Sequence, residues 1–237
     1  MFDAAAGGHD YGDSVLKLGP AGSDLVVRDY FTPFNQKELN DNDDDLGSGA
    51  PVLLPDQPGP HPHLLVVAGK ARTIYVIDRE RMGHYQAGSD SHAAQTLRLL
   101  AGSAFGAPAY WNRHVYFLAS DDVLRDFAVE QGMLKEVAHA NKQFIDPGAT
   151  PAVSANGSKN AIVGVLSSKH WNEADGPPAV LYAYDAANLA HQLYSSEENG
   201  GRDRAGVGCD STSQPLLMGA YTSARKVSWM SSGCCRP

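Results

Sequence analysis

Three stretches of this chain repeat the same order of parts, and that repetition limits the folds available to it. Each has a Gly/Pro-rich opening, a turn, an apolar strand, a short turn and an aromatic strand; the openings are "GSGAPVLL", "FGAPAYW" and "PGATPAVS". Their prolines, Pro51, Pro108 and Pro151, are 57 and 43 residues apart. A period of about 40–50 residues with about four short strands per unit is typical of a β-propeller. A β-sandwich with irregular strand spacing is the alternative, but it does not require the repeated order.

The strand pairs inside these units define the expected blades. They are "HLLVVAGK" with "RTIYVIDRERMG", "RHVYFLAS" with "DVLRDFAVEQG", and "NAIVGVLSS" with "AVLYAYDAANLA". The sequence therefore predicts an all-β chain, an incomplete β-propeller of four-stranded antiparallel blades with about four to five blades represented. The blades are expected at about 10–30 (partial), 47–90, 104–140 and 146–197. Long segments with a helical period are scarce, and the best of them, from Ser91 to Ala104, predicts a short helix or a coil.

Composition excludes several function classes. The formal net charge is −8 and no basic stripe is present, so a nucleic-acid surface is not expected. No apolar run approaches the roughly 20 residues that a membrane-spanning helix needs. The first residues have neither a basic region nor an apolar region, so this chain shows no signal peptide.

Several segments resemble a subgroup of the quinoprotein-like β-propellers, the pyrroloquinoline quinone (PQQ)-like repeat superfamily. They include "FDAAAGGHDYGDSVLKL", "DYFTPFNQKELNDNDDDLGSGAPVLLPD", "GKARTIYVIDRERMG", "FGAPAYWNRHVYF" and "GATPAVSANGSKNAIV". The resemblance covers nearly all of residues 2–208. It implies a propeller domain over 1–208. Because relatives of this kind are commonly exported, it also implies that the complete protein is periplasmic or extracellular.

Two functions follow from the resemblance. The first is a binding or interaction scaffold without catalytic activity in this form, which takes a small molecule or a protein on the propeller face. The alternative is a PQQ- and calcium-dependent quinoprotein oxidoreductase, similar to alcohol dehydrogenases, of which this chain is a fragment. The chain lacks the hydrolase motif G-x-S-x-G, the zinc-protease motif H-E-x-x-H and the phosphate-binding P-loop.

A third interpretation is that the chain is a mispredicted product with no stable function.

The segment "GGHDYGDS" is the candidate ligand-binding turn. It places Asp10, Tyr11 and Asp13, with His9, on a turn bracketed by glycines. This turn is expected on the axial face, where propellers bind ligands. The alternative is turn chemistry, in which Asp13 accepts hydrogen bonds from nearby backbone N–H groups.

The acidic run "NDNDDDLGSG" is the candidate metal site. Asp41, Asp43 and Asp45 have the spacing that begins a calcium loop. The run is not an EF-hand, because the sixth position is Leu46 and the twelfth is Val52. A simple calcium loop and a solvated loop with turn-capping carboxylates both remain open.

Two further groups of residues are candidate sites. His61 and His63 lie on one side of an extended segment, as metal ligands do, but no third ligand is apparent. Four aromatic residues are expected to pack the blades rather than to form a binding platform; they are Tyr110, Trp111, Tyr116 and Phe117.

All three cysteines lie in the last part of the chain, at Cys209, Cys234 and Cys235. Quinoprotein alcohol dehydrogenases of this superfamily use an adjacent cysteine pair, but a strained vicinal disulfide needs a scaffold to hold it. No disulfide is expected. Residues 209–237 lack a strand pattern and are interpreted as an aberrant, disordered tail produced by a frameshift near Gly208.

The coding DNA tests the frameshift interpretation. Read one frame over, Trp229-Met230 must encode Asp and Cys234-Cys235 must encode Leu, and the tail can read "RFDIPTVANGRVYIGTQGELDVFGLLP". We expect genomic sequencing to show this blade-like frame, with additional blades encoded upstream of Met1. An early stop in the shifted frame contradicts the interpretation.

Overall fold

The computed structural model describes residues 1–145, 147–169 and 176–206. These residues are 45% strand and 9% helix, so the all-β prediction is confirmed. The strands are β1 (Val15–Ala21), β2 (Asp24–Thr32), β3 (Val52–Leu53), β4 (Leu64–Ala68), β5 (Ile74–Asp78), β6 (His84–Tyr85), β7 (Gln95–Leu97), β8 (Ala109–Trp111), β9 (His114–Phe117), β10 (Val123–Glu130), β11 (Met133–Gln143), β12 (Ala152–Asn156), β13 (Lys159–Ser167), β14 (Val180–Asp185) and β15 (Asn188–Ser195). The helices are α1 (Gln36–Asn42) and α2 (Gly200–Asp203), with 3₁₀ turns at Ala4–Ala6 and Leu46–Ser48.

The strands form four sheets in chain order. The first sheet has the order β1-β2-β6, the second β3-β4-β5-β7, the third β11-β10-β9-β8 and the fourth β12-β13-β14-β15. Neighbouring strands are antiparallel except for β6, which pairs in parallel with the end of β2. The connection between β5 and β7 therefore contributes a strand to the first sheet before it returns to the second.

The second sheet is buried on both faces. Every residue of β4 and β5 is buried, as the continuous apolar runs predict. Successive side chains of a strand point to opposite faces. On one face, Leu64 and Val66 pack with Phe127 of the third sheet. On the other face, Leu65 and Val67 pack with Phe31 of the first sheet.

The third sheet shares this arrangement. Phe117 of β9 faces the second sheet, whereas its neighbour Tyr116 faces Val163 of the fourth sheet. The buried Tyr116 hydroxyl donates a hydrogen bond to the carbonyl oxygen of Ala186, at 3.0 Å, which joins the two sheets. The four sheets are thus stacked face to face in chain order. None of them closes on itself.

Glycines let the loops approach the sheets closely. A Cβ on Gly49 would overlap the carbonyl oxygen of Ala68, and one on Gly102 would overlap that of Ser120. Only a residue without a side chain fits such a backbone contact without displacement. These two glycines therefore let their loops pack directly against the backbone of Ala68 and of Ser120.

The prediction of a helix or coil between Ser91 and Ala104 is wrong at its centre. Residues 95–97 form β7, and Leu97 pairs with Ile74 on the open edge of β5. Leu97 and Ala94 also pack against the core between the second and third sheets. An unpaired sheet edge next to a core outweighs a weak local helical pattern.

Leu64→Ala tests the two-faced burial. Leu64 is fully buried, so we expect the free energy of unfolding to fall by about 3 kcal/mol through lost burial and a residual cavity. Leu25→Ala, at a strand leucine that is 70% exposed, is the matched control and should change stability by less than about 0.5 kcal/mol. Urea unfolding measures both; equal losses would contradict the stacked arrangement.

Candidate functional site

The acidic run forms a lysine-bound loop. Helix α1 ends at Asn42. Asp43 caps it in the left-handed conformation, and its backbone N–H donates a hydrogen bond to the carbonyl oxygen of Leu39. Lys70, at the end of the second sheet's β4, places its Nζ 2.9 Å from Asp43 Oδ1 and 2.7 Å from Asp45 Oδ2. The hydrogen bond from Lys70 lowers the pKa of Asp43, and the bonds to Asp45 and Asp43 raise the pKa of Lys70.

The predicted metal ligands therefore do not converge on one point. Asp41 pairs with Lys37 one helical turn earlier, at 2.5 Å, while Asp43 and Asp45 share the Lys70 ammonium. Across the described ranges, no three His, Cys, Asp or Glu side chains are gathered so that they could hold a metal ion. The side chains of this loop thus do not fit the simple calcium loop, since the Lys70 ammonium already lies between the Asp43 and Asp45 carboxylates.

The predicted ligand-binding turn is partly structural. Asp13 Oδ1 accepts a hydrogen bond from the backbone N–H of Leu46 at 3.1 Å, and its Oδ2 accepts one from Gln36 at 3.2 Å. Its partners are distant in sequence, in contrast to the local turn bonds that we expected. Tyr11 packs edge-on against Tyr30, and the exposed Asp10 donates its N–H to Asp3. Ligand binding by Asp10 and Tyr11 stays a prediction.

The two histidines of the "HPH" segment bind different carboxylates. His61 lies 2.8 Å from Asp78, and His63 lies 3.0 Å from Asp56. Burial raises the pKa of Asp78, but the hydrogen bonds from His61 and from the N–H of Glu80 outweigh it, so this pKa lies below its ordinary value. The His61–Asp78 pair fastens the hairpin loop to β5 of the second sheet, whereas the His63–Asp56 pair lies within the loop.

The aromatic residues pack the sheets, as expected. Tyr116 and Phe117 are buried in the two inner cores. Tyr110 and Trp111 are partly buried against the same cores, and the Trp111 indole donates to the carbonyl of Gly157 at 2.9 Å.

A buried ion pair on the third sheet was not predicted. The Asp122 side chain is 2% exposed, and it accepts hydrogen bonds from Arg125 and from the N–H of Ala101. Arg125 also binds Glu136 at 2.9 Å. Hydrogen bonding to Asp122 raises the pKa of Arg125. The pair ties the loop before β8 to the sheet, so its function is structural.

A cavity of about 580 Å³ lies where the third and fourth sheets meet. Its wall is formed by the end of β11, by β14, and by the chain that follows β13 and β15. Its charged and aromatic lining residues, among those the structure describes, are Lys142, Phe144, Lys169, Tyr182, Glu197 and Arg204. Its volume is in the range of small-molecule sites. We take it as the candidate functional site.

The cavity carries positive charge over an aromatic floor. The Lys142 ammonium lies 4.7 Å from the ring centroid of Tyr182 and 5.8 Å from that of Phe144. The Tyr182 hydroxyl donates to Glu197 Oε2 at 2.9 Å. Burial, followed by this hydrogen bond, raises the pKa of Tyr182.

Sequence reasoning missed this site. Lys142, Tyr182, Glu197 and Arg204 belong to different elements, and no short motif joins them. The available signal was weak: a lysine two residues before a buried aromatic in "NKQF". Only the packing of β11 against the fourth sheet brings these side chains together.

The chain matches no protein-family model and no curated protein sequence. No helix within the described ranges is long and apolar enough to cross a membrane. The predicted tail 209–237, with Cys209, Cys234 and Cys235, lies outside the described residues.

Asp126→Asn tests a buried carboxyl of the third sheet, which lies 2.8 Å from His114. Burial raises the pKa of Asp126, and the hydrogen bond from His114 offsets only part of that effect. The folded chain therefore keeps this proton to a higher pH than the unfolded chain, so wild-type stability falls as the pH rises through the folded pKa. We expect the Asp126→Asn variant to lose less stability than the wild type over the same increase in pH. Urea unfolding from about pH 3 to pH 7 measures the difference; parallel profiles contradict it.

Proposed function

We propose that this chain belongs to a β-propeller of the quinoprotein-like type and acts as a binding scaffold rather than as a catalyst. The observation that carries the proposal is the face-to-face stacking of four sheets in chain order, with the second and third buried on both faces. Propeller blades pack in this way, since each small sheet cannot bury its faces alone.

Repeated local structure supports the blade interpretation. In the second sheet, Asp78 ends β5 and accepts a hydrogen bond from the N–H of Glu80 at 2.8 Å. In the fourth sheet, Asp185 ends β14 and accepts one from the N–H of Ala187 at 2.9 Å. The same turn thus follows the third strand of both sheets, as expected for copies of one structural unit.

The state of the ionisable groups favours binding over catalysis. Several acidic groups outside the cavity are engaged in structural pairs, such as Asp45 with Lys70, Asp122 with Arg125, and Asp126 with His114. A general base needs access to its substrate. The cavity, in contrast, presents cations that lack a carboxylate partner among the described residues. Such groups hold an anion rather than take a proton from a substrate. Export of the complete protein stays a prediction.

A quinone assay separates the scaffold from the oxidoreductase. The full chain is incubated with PQQ and calcium, desalted, and examined for bound quinone absorbance and for dye-linked oxidation of primary alcohols. We expect no dye-linked oxidation, because no three His, Cys, Asp or Glu side chains of the described residues are gathered so that they could hold the calcium ion. Saturable quinone binding together with alcohol oxidation would overturn the proposal in favour of the oxidoreductase.

A further inference from the structure

We infer that the cavity between the third and fourth sheets binds a small organic dianion with an apolar or ring-shaped body. A phosphate monoester or a dicarboxylate of a ring compound has this chemistry. The inference rests on the proposed scaffold function and specifies the class of ligand that the scaffold takes.

The charge of the wall selects a dianion. Lys142, Lys169 and Arg204 line the cavity, and none of them has a carboxylate partner in the part of the chain that the structure describes. Among the described lining residues, the one carboxylate is that of Glu197, which already accepts the hydrogen bond of Tyr182. Within this described part of the wall, three cations against one carboxylate leave two positive charges in excess. An anion that carries two negative charges balances them.

The local charge opposes the charge of the whole protein. The chain has a formal net charge of −8, so most of its surface repels anions. Asp203, which precedes Arg204 in the chain, is already bound by Arg202 and by the Tyr194 hydroxyl. A cationic concavity on an acidic protein concentrates anionic ligands at that point.

Lys142 is positioned before any ligand arrives. Its ammonium stands over the Tyr182 and Phe144 rings, and both of these side chains are buried and therefore fixed. A cation held on aromatic faces keeps N–H donors free for an oxygen acceptor. Arg204 adds a planar fork, which suits the paired oxygens of a phosphate or carboxylate.

The remaining lining selects the body of the ligand. Pro177, Pro178 and Ala179 form an apolar side of the cavity, next to Tyr182. A free inorganic anion would leave this apolar side and most of the roughly 580 Å³ of space unused. A ring compound fills both, since small-molecule sites combine an apolar wall with a few polar groups.

Isothermal titration of the full chain with three probes tests the inference. Phenyl phosphate carries both the dianion and the ring, inorganic phosphate only the anion, and benzyl alcohol only the ring. We expect saturable one-to-one binding of phenyl phosphate, tighter than that of either other probe and weakened by added salt. Lys142→Met and Arg204→Gln should each weaken it about tenfold, the size of one charge-assisted hydrogen bond.

Two variants control the titration. Lys142→Arg keeps the charge and should retain most of the affinity. Lys37→Met removes an equally long cation whose side chain is 85% exposed on α1, and it should leave binding unchanged. Thermal melts of every variant verify that the fold is retained.

Each contrary result has a distinct meaning. Equal affinity of wild type and Lys142→Met, or no saturable phenyl phosphate binding by a cooperatively folded chain, overturns the inference. Equal affinity for inorganic phosphate overturns the ring-shaped body, and equal affinity for benzyl alcohol overturns the anion. Failure here leaves the quinone assay unaffected, whereas a positive quinone assay defeats the scaffold whatever the titration shows.

Discussion

The burial of both faces of the second and third sheets is the constraint on which the structure depends. An antiparallel sheet with one apolar face is stable when one neighbour covers it, but a sheet that is apolar on both faces needs two. β4 places Leu64 and Leu65 on opposite faces, and both are almost completely buried. The first and third sheets cover these two faces, and the third sheet in turn requires the fourth. The order of the stack follows from this requirement.

Polar interactions then fix the loops relative to the stack. Asp122 is buried with Arg125 and accepts a hydrogen bond from the N–H of Ala101, so moving the loop before β8 away would remove one hydrogen bond from a buried carboxylate. The acidic loop is held in a similar way. Asp13 accepts a hydrogen bond from the N–H of Leu46, and Lys70 binds the carboxylate of Asp45. Charged residues that look like candidate ligands in the sequence are thus engaged in positioning the chain, because carboxylates near a sheet need donors or cations.

The cavity results from the same packing. The third sheet ends with the long strand β11, whose last residues extend to the fourth sheet and place Lys142 over Tyr182. The chain after β15 supplies Glu197 and Arg204 from the other side. A cationic site therefore forms where two sheets meet, in a chain whose overall charge is negative.

The sequence by itself determined the strands. The apolar runs of β4 and β13, the aromatic runs of β5 and β14, and the glycine-rich openings follow from alternation and turn chemistry, which are local properties. Tertiary structure alone decided that residues 95–97 form a strand, because the edge of β5 is a non-local partner. It also decided that Lys70 rather than a metal ion neutralises Asp43 and Asp45, and that Lys142, Tyr182 and Arg204 share one cavity. These contacts join residues far apart in the chain, such as Lys70 and Asp45, which are 25 positions apart. No local sequence pattern records which distant side chains the packing of the sheets will bring together.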